Sequence, residues 1–164
     1  MPETISDTGP VLHLHEIASL DALGLLAPLV FPHGVWEELQ HRRLDEATFR
    51  QAGLSFTVST VNGDLLSDAE TLRLQPADAE VFLLAREGRF ESLVLTDDLA
   101  LRRLLEERGA VVAGSVGILV RAYAAGRLSR EGLERSIEAL LEESTLHLSR
   151  AFRTYVRKLL IDLP

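Results

Sequence analysis

The sequence predicts an α/β fold of three layers (α/β/α), in which helices cover both faces of a parallel sheet of four to five strands. Short apolar runs alternate along the chain with segments whose apolar residues recur at helical spacing, a pattern typical of β–α–β units. Two of these runs, Leu93–Leu95 and Val111–Ala113, are apolar throughout, as expected of parallel strands that are covered on both faces. Extra helices are expected at the C-terminal end.

The first half of the chain is expected to hold three strands separated by helices. Thr4–Asp7 is a short extended run that ends in a Thr-Gly-Pro turn, and Val11–Leu26 carries apolar residues at helical spacing. The other elements expected in this half are a strand at Leu29–Phe31, a helix from Gly34 to His41 that extends with a break toward Gly53, a strand at Ser55–Val61 and a short polar helix within Asn62–Leu74.

The second half begins with the strongest helix signal in the sequence. Proline opens the segment Pro76–Glu87, acidic residues fill its first turn, and Gly88 ends it. The remaining expected elements are a strand at Leu93–Leu95, a helix capped by Asp97 or Asp98 that runs to about Arg108, a strand at Ala110–Ala113, a helix to Tyr123, and two helices near Ser129–Glu143 and Ser149–Ile161. We expect one domain over residues 1–164, with a core of about 1–126 and a helical extension over 127–164 that packs outside the core or against a partner.

Composition excludes several classes of site. The chain of 164 residues has no cysteine, so disulfides, thiolate zinc sites and cysteine nucleophiles are excluded. No apolar run approaches the roughly 20 residues of a membrane span, and the N-terminus lacks a signal-peptide pattern, so we expect a soluble, cytoplasmic protein. The net charge of −8 argues against nucleic-acid binding by bulk electrostatics, which leaves a local basic patch, a metal or a partner.

Acidic residues follow two of the expected strands. Asp7 closes the first strand, and Asp97-Asp98 follow the strand Leu93–Leu95. Sites in open parallel sheets form beyond the carboxyl ends of the strands, and carboxylates that meet there suit Mg²⁺ or Mn²⁺. The alternative is that each Asp only caps the helix behind it. From the residues alone, both interpretations stay open.

Helical geometry selects between neighbouring acids elsewhere. Val35 and Leu39 mark the buried face of their helix, so Glu37 points away from it and Glu38 lies at its border. Asp78 shares a stripe with apolar residues of its helix, whereas Glu80 does not face with it. The alternatives are a solvated Glu38 and an Asp78 that only favours the helix dipole.

Other kinds of site fit less well. An aspartyl phosphotransferase usually needs a second Asp where Gly9 stands, and a response regulator needs a Lys near the last strand, whereas the only Lys is Lys158. Gly114-x-x-Gly117 is too sparse for a dinucleotide loop. The histidines show no pair at ligand spacing, and we expect His13 and His15 to be surface or partly buried polar residues.

The order and spacing of these signals resemble a PIN domain, and the resemblance covers nearly the whole chain. The segments that carry it are Ile5-Ser6-Asp7-Thr8-Gly9-Pro10, Pro32-x-x-Val35-x-x-Glu38-Leu39, Asp78-x-Glu80, Leu95-Thr96-Asp97-Asp98 and, in a subgroup with a C-terminal extension, Val112-x-Gly114-Ser115-x-Gly117-Ile118-Leu119 followed by Ala125-Gly126-Arg127-Leu128.

The resemblance implies a Mg²⁺- or Mn²⁺-dependent ribonuclease with a quartet of acids. Carried over residue by residue, these are Asp7, Glu38, Asp78 and Asp98, with Asp97 as the competing choice for the fourth acid and as a further candidate metal ligand. Thr8 and Ser115 would be hydroxyls that support the acids, and Gly9 replaces a Ser common in this subgroup. In such a pocket a cation relieves carboxylate repulsion and lowers the pKa of a bound water that attacks the phosphodiester.

The leading hypothesis is therefore a PIN-domain ribonuclease, and the resemblance extends to toxins of VapC-type toxin–antitoxin pairs. As such a toxin, the chain would be a homodimer whose groove is occupied by an antitoxin protein. A second hypothesis, which the acidic balance motivates, is a PIN-like binding or regulatory module without turnover. A third is cleavage of DNA rather than RNA.

Overall fold

Five short strands form one parallel sheet in the computed structural model, which describes residues 3–62 and 69–164. The order across the sheet is β3-β2-β1-β4-β5, and every neighbouring pair is parallel. The strands are β1 (Thr4–Ser6), β2 (Leu29–Pro32), β3 (Phe56–Ser59), β4 (Leu93–Leu95) and β5 (Val111–Ala113). The expectation of a parallel sheet of four to five strands is confirmed.

Helices flank the sheet and give the three-layer α/β/α arrangement that the sequence predicts. Those in the described part of the chain are α1 (Thr8–Glu16), α2 (His33–His41), α3 (Glu46–Gln51), α4 (Pro76–Glu87), α5 (Leu99–Glu107), α6 (Ser115–Ala124), α7 (Arg130–Glu142) and α8 (Arg150–Asp162). In these described ranges, no helix has the length and hydropathy of a membrane span.

The structure corrects three expected elements. The helix expected over Val11–Leu26 is divided into α1 and a 3₁₀ turn at Leu20–Leu25, because Ala18 between them adopts a left-handed conformation with φ of 55°. The third strand is shorter than Ser55–Val61. Within Asn62–Leu74, residues 63–68 lie outside the described residues, and residues 69–74 form turns rather than a helix.

The strand order brings the two acidic strand ends together. β1 lies between β2 and β4, and its register pairs Ser6 with Leu95, the last residue of β4. The Asp7 N–H continues this ladder by donating to the Leu95 carbonyl at 2.9 Å. Asp7 and Thr96 therefore follow directly from paired positions at the same edge of the sheet, where sites of open parallel sheets form.

The two C-terminal helices differ in how much they contribute to the core. α7 buries Leu133, Ile137, Leu140 and Leu141 along one face, an amphipathic arrangement that fixes the helix to the domain. α8 buries Val156. Its C-terminal end is tied to α7 through Arg130, whose Nη1 donates to the Leu163 carbonyl at 2.7 Å.

Candidate active site

The acidic cluster consists of Asp7, Glu38, Asp78 and Asp98. Asp7 is its most enclosed member, with 6% of its surface exposed. Its Oδ1 accepts the Thr8 N–H at 2.6 Å, and its Oδ2 accepts the Thr96 hydroxyl at 2.8 Å. Burial raises the pKa of Asp7 to about 6, the two hydrogen bonds oppose that rise, and repulsion from Glu38 and Asp97 adds to it. Asp7 therefore both caps α1 and lies among other carboxylates.

Glu38 reaches the same edge of the sheet from α2. Val35 and Leu39 of this helix are fully buried, whereas Glu38 is exposed. The Thr8 hydroxyl donates to Glu38 Oε2 at 2.5 Å, so one residue links Glu38 to the end of β1. Glu37 lies in solvent, with an oxygen 3.7 Å from His33 Nδ1. Both glutamates are exposed, and they differ in their contacts, since Glu38 accepts a hydrogen bond from Thr8 and Glu37 lies near His33.

Asp78 completes the cluster from the first turn of α4. Its pKa is raised to about 7, mainly by burial and in addition by repulsion from Asp7, Asp98 and Glu38. These three repulsive partners come from three separate segments of the chain. The carboxylates predicted from the sequence are therefore close enough in space for each to disfavour the ionisation of Asp78.

Glu80 has a different position from Asp78, as the helical geometry predicts. Its Oε2 accepts the Gly34 N–H at 2.7 Å, in the first turn of α2. Pro32, which precedes that helix, makes no side-chain cap, so Glu80 satisfies one of the free N–H groups at the helix start from a neighbouring helix. This contact fixes α2, and with it Glu38, against α4. The sequence analysis did not predict it.

Asp98 is both a cap and a member of the cluster. Its Oδ1 accepts the Leu101 N–H at 2.7 Å and begins α5, which confirms the capping interpretation. Its own N–H donates to the Thr96 hydroxyl at 3.0 Å. Thr96 therefore joins Asp98 to Asp7, a role that the sequence analysis missed although Thr96 directly follows a buried strand.

Asp97 is held by contacts with residues of two helices, α1 and α6. Its Oδ1 accepts the Ser115 N–H at 2.7 Å, and its Oδ2 accepts the Ser115 hydroxyl at 2.5 Å and contacts His13 Nδ1 at 2.7 Å. A Cβ on Gly114 would lie 2.6 Å from Asp97 Oδ1, so glycine is needed there for space. His13 is partly buried, as expected, but no local pattern indicates its contact with Asp97.

The donor set of this cluster fits a divalent cation. Asp7, Glu38, Asp78 and Asp98 supply carboxylate oxygens, which Mg²⁺ and Mn²⁺ prefer. Burial, with repulsion from neighbouring carboxylates, raises the pKa of Asp7 and of Asp78, so a cation would stabilise their charged forms. In residues 3–62 and 69–164 no group of three such side chains is already arranged around a metal position. Mg²⁺ commonly uses only one or two protein carboxylates, with water and phosphate completing its shell.

Comparison with known proteins identifies the family. The model of the family described as DUF3368, a PIN domain, matches residues 3–161. No curated protein and no solved structure matches the chain in the same comparisons. The match covers both the acidic cluster and the C-terminal helices, and it agrees with the resemblance seen in the sequence. The chain belongs to the PIN-domain family.

Proposed function

We propose that this PIN domain is a metal-dependent endoribonuclease that hydrolyses RNA phosphodiester bonds at the acidic cluster. The family indicates a nuclease-type fold. The observation that carries the proposal is the convergence of Asp7, Glu38 and Asp98 on Asp78, whose pKa is raised to about 7. Acids with strongly shifted pKa values at one sheet edge are typical of functional sites rather than of helix caps alone.

Asp7, Asp78 and Asp98 would hold Mg²⁺ or Mn²⁺, with Glu38 beside them and Asp97 as the alternative to Asp98. We favour Asp98 because its charge acts on Asp78, whereas Asp97 is held by Ser115 and His13. When bound, the cation lowers the pKa of a water molecule and neutralises charge on the phosphate.

Hydrogen bonds within the chain hold two carboxylates of this pocket in place. Thr8 and Thr96 hold Glu38 and Asp7 by hydrogen bonds, so these carboxylates do not need to reorganise when substrate arrives. Asp78 retains a proton on its carboxyl group over part of the neutral range, because its pKa is about 7. Cation binding therefore releases protons, and it weakens as the pH falls below this value.

Cleavage of a labelled RNA with Mg²⁺, with Mn²⁺ and with EDTA tests the proposal. We expect metal-dependent cleavage by the wild type and loss of it in Asp7→Asn. Glu38→Gln should lose most activity, whereas the matched variant Glu37→Gln, one residue away and facing solvent, should retain it. Metal-independent cleavage, or equal activity of wild type and Asp7→Asn, would contradict the mechanism.

The proposal extends to a biological role as the toxin of a toxin–antitoxin pair, acting in the cytoplasm as a homodimer. The support is the resemblance of the motif order to that group. Expression of the wild type should then arrest growth, and Asp7→Asn should not. Sedimentation of the purified chain tests the dimer.

The alternative of a binding module without turnover is supported by the acidic balance of the chain. Calorimetric titration with Mn²⁺ separates the two ideas when it is combined with the cleavage assay. A chain that binds Mn²⁺ through Glu38 and yet cleaves neither RNA nor DNA would be such a module.

A further inference from the structure

A groove of about 510 Å³ lies beside α8 and reaches Asp97. One wall comes from α5, β5 and the start of α6, and the other from residues 146–149 and α8. Asp97 lines one end of the groove, next to Gly114. Asp97 lies between Thr96 and Asp98 in the sequence, so this end of the groove lies next to the proposed nuclease site.

Two aromatic side chains of α8 line this groove and are left open to solvent. Phe152 is 38% exposed and Tyr155 is 58% exposed, and their ring centroids lie 5.8 Å apart. Leu99, on the opposite wall, is 56% exposed. Neighbouring exposed rings beside a phosphodiesterase-type site are suitable platforms for unpaired bases, since every base has a face on which an aromatic ring can stack.

The charge of the groove also suits a nucleic acid. Arg102 and Arg121 line it. Arg102 Nη2 donates to the carbonyl of Thr96, the residue before Asp97, at 3.3 Å. From α8, Phe152, Tyr155 and Leu159 line the groove, whereas Arg153 and Arg157 are paired with Glu142 of α7. The guanidinium groups of Arg102 and Arg121 are therefore the charges in the groove that can contact phosphates.

We propose that the groove binds single-stranded RNA, with bases stacked on Phe152 and Tyr155 and phosphates bound by Arg102 and Arg121. The proposal rests on the proposed ribonuclease function and identifies the surface that binds the substrate beside the proposed active site. A duplex is disfavoured because stacking on two rings requires unpaired bases. An RNA strand is favoured over a peptide because two arginines and two exposed rings line the groove, and because its end at Asp97 lies next to the proposed site of phosphodiester cleavage.

Binding is measured by fluorescence anisotropy with a short, unstructured, labelled RNA, using the full chain with Asp7→Asn so that no cleavage occurs. Replacing both Phe152 and Tyr155 by Leu keeps apolar bulk but removes the stacking surfaces. We expect Kd to rise by at least about tenfold in this variant. Ile161→Ala, at a more exposed position of the same helix outside the groove, should leave Kd unchanged.

The arginine contacts have a separate signature. Arg121→Gln should reduce the slope of log Kd against log salt concentration by about 0.7, the value for one phosphate contact on a single strand. The leucine variant should weaken binding without changing this slope. If the double variant unfolds at a lower temperature than Ile161→Ala, the Kd is measured instead for the single variant Tyr155→Leu, which alters the more exposed ring.

The outcomes distinguish this inference from the proposed function. Wild-type cleavage with unchanged Kd in the leucine variants would overturn the groove and leave the nuclease proposal intact. RNA binding that depends on the two rings, without any cleavage by the wild type, would support the groove and contradict the nuclease. A leucine variant that alters sedimentation but not RNA binding would assign the groove to a protein contact and overturn the inference.

Discussion

The Thr96 hydroxyl donates to Asp7 Oδ2 at 2.8 Å and accepts the Asp98 N–H at 3.0 Å, so one side chain joins the carboxyl ends of the two central strands. Both contacts end on residues proposed to hold the cation. Thr96 itself is fully buried. It therefore fixes the separation of Asp7 and Asp98 without needing to contact substrate.

Thr96→Val should lower activity while preserving the fold, because valine has nearly the shape of threonine but cannot make either hydrogen bond. A lost hydrogen bond to a charged group corresponds to a decrease on the order of 10- to 100-fold. Since this bond lowers the pKa of Asp7, its loss should also move the acidic limb of the pH–rate profile to higher pH. Thr96→Ser retains the hydroxyl and should restore most activity, and failure of that rescue would contradict the role.

The stability of the cation-free chain should decrease as the pH rises from about 4 to about 7. Asp7 and Asp78 have pKa values near 6 and 7 in the fold, against 3.8 when unfolded, so the folded state binds more protons over this range. For Asp7, the shift corresponds to a loss on the order of 3 kcal/mol above pH 6.

Thermal unfolding in EDTA across this pH range measures the effect. Asp7→Asn should unfold at a higher temperature than the wild type at neutral pH and at a similar temperature below pH 4, while Glu37→Gln should follow the wild type. Added Mg²⁺ should stabilise the wild type most at the upper end of the range. A difference between wild type and Asp7→Asn that does not vary with pH would contradict the raised pKa.

Gly114→Ala should displace Asp97 and lower both stability and activity. The new Cβ would lie 2.6 Å from Asp97 Oδ1 and 2.8 Å from Arg102 Nη2, closer than real contacts allow. Overpacking of this kind costs about 1–3 kcal/mol. The backbone of Gly114 is extended, so the loss would come from lack of space and not from φ.

Gly117→Ala is the matched control for stability, because its Cβ would find only ordinary contacts, the nearest at 3.8 Å. Alanine inside a helix is favoured over glycine by up to about 1 kcal/mol, so this variant should be as stable as the wild type or more so. Equal unfolding temperatures for the two alanine variants would contradict this prediction, because they would show that Asp97 can move away from the new Cβ without loss of stability.

Glu80→Ala should reduce activity through α2 without removing a proposed ligand. The variant loses the acceptor for the Gly34 N–H, a cap-type contact that contributes about 1 kcal/mol, and α2 carries Glu38. Glu80→Gln keeps an acceptor oxygen and should remain close to wild type in both unfolding temperature and kcat. If Glu80→Gln were as inactive as Asp78→Asn, Glu80 would belong to the reacting groups.

The fold was predictable because its signals are local. Each strand end, the first turn of α4 and the buried face of α2 can be read within a few residues, and the acids follow from them. The contacts that organise the cluster are not local: Thr96 lies 89 positions from Asp7, and Asp97 lies 84 from His13. A single sequence carries no signal that pairs such residues.

The errors in the predicted elements have a similar origin. Apolar spacing continues from α1 into Leu20–Leu25, so periodicity could not show that Ala18 turns the chain between them. Alternation in Ser55–Val61 extends beyond the residues that pair with β2. Where a strand stops depends on its neighbour in the sheet, which lies elsewhere in the sequence.

The strand order has a consequence for the protein during its synthesis on the ribosome. β1 is made first, but one of its edges stays unpaired until Leu93–Leu95 have been translated, because β4 is its second neighbour. A nascent chain that ends before Thr96 has neither the bridge to Asp7 nor Asp98, and Ser115 emerges later still. Under the proposed function, the growing polypeptide would therefore be an incomplete enzyme until these residues have been translated.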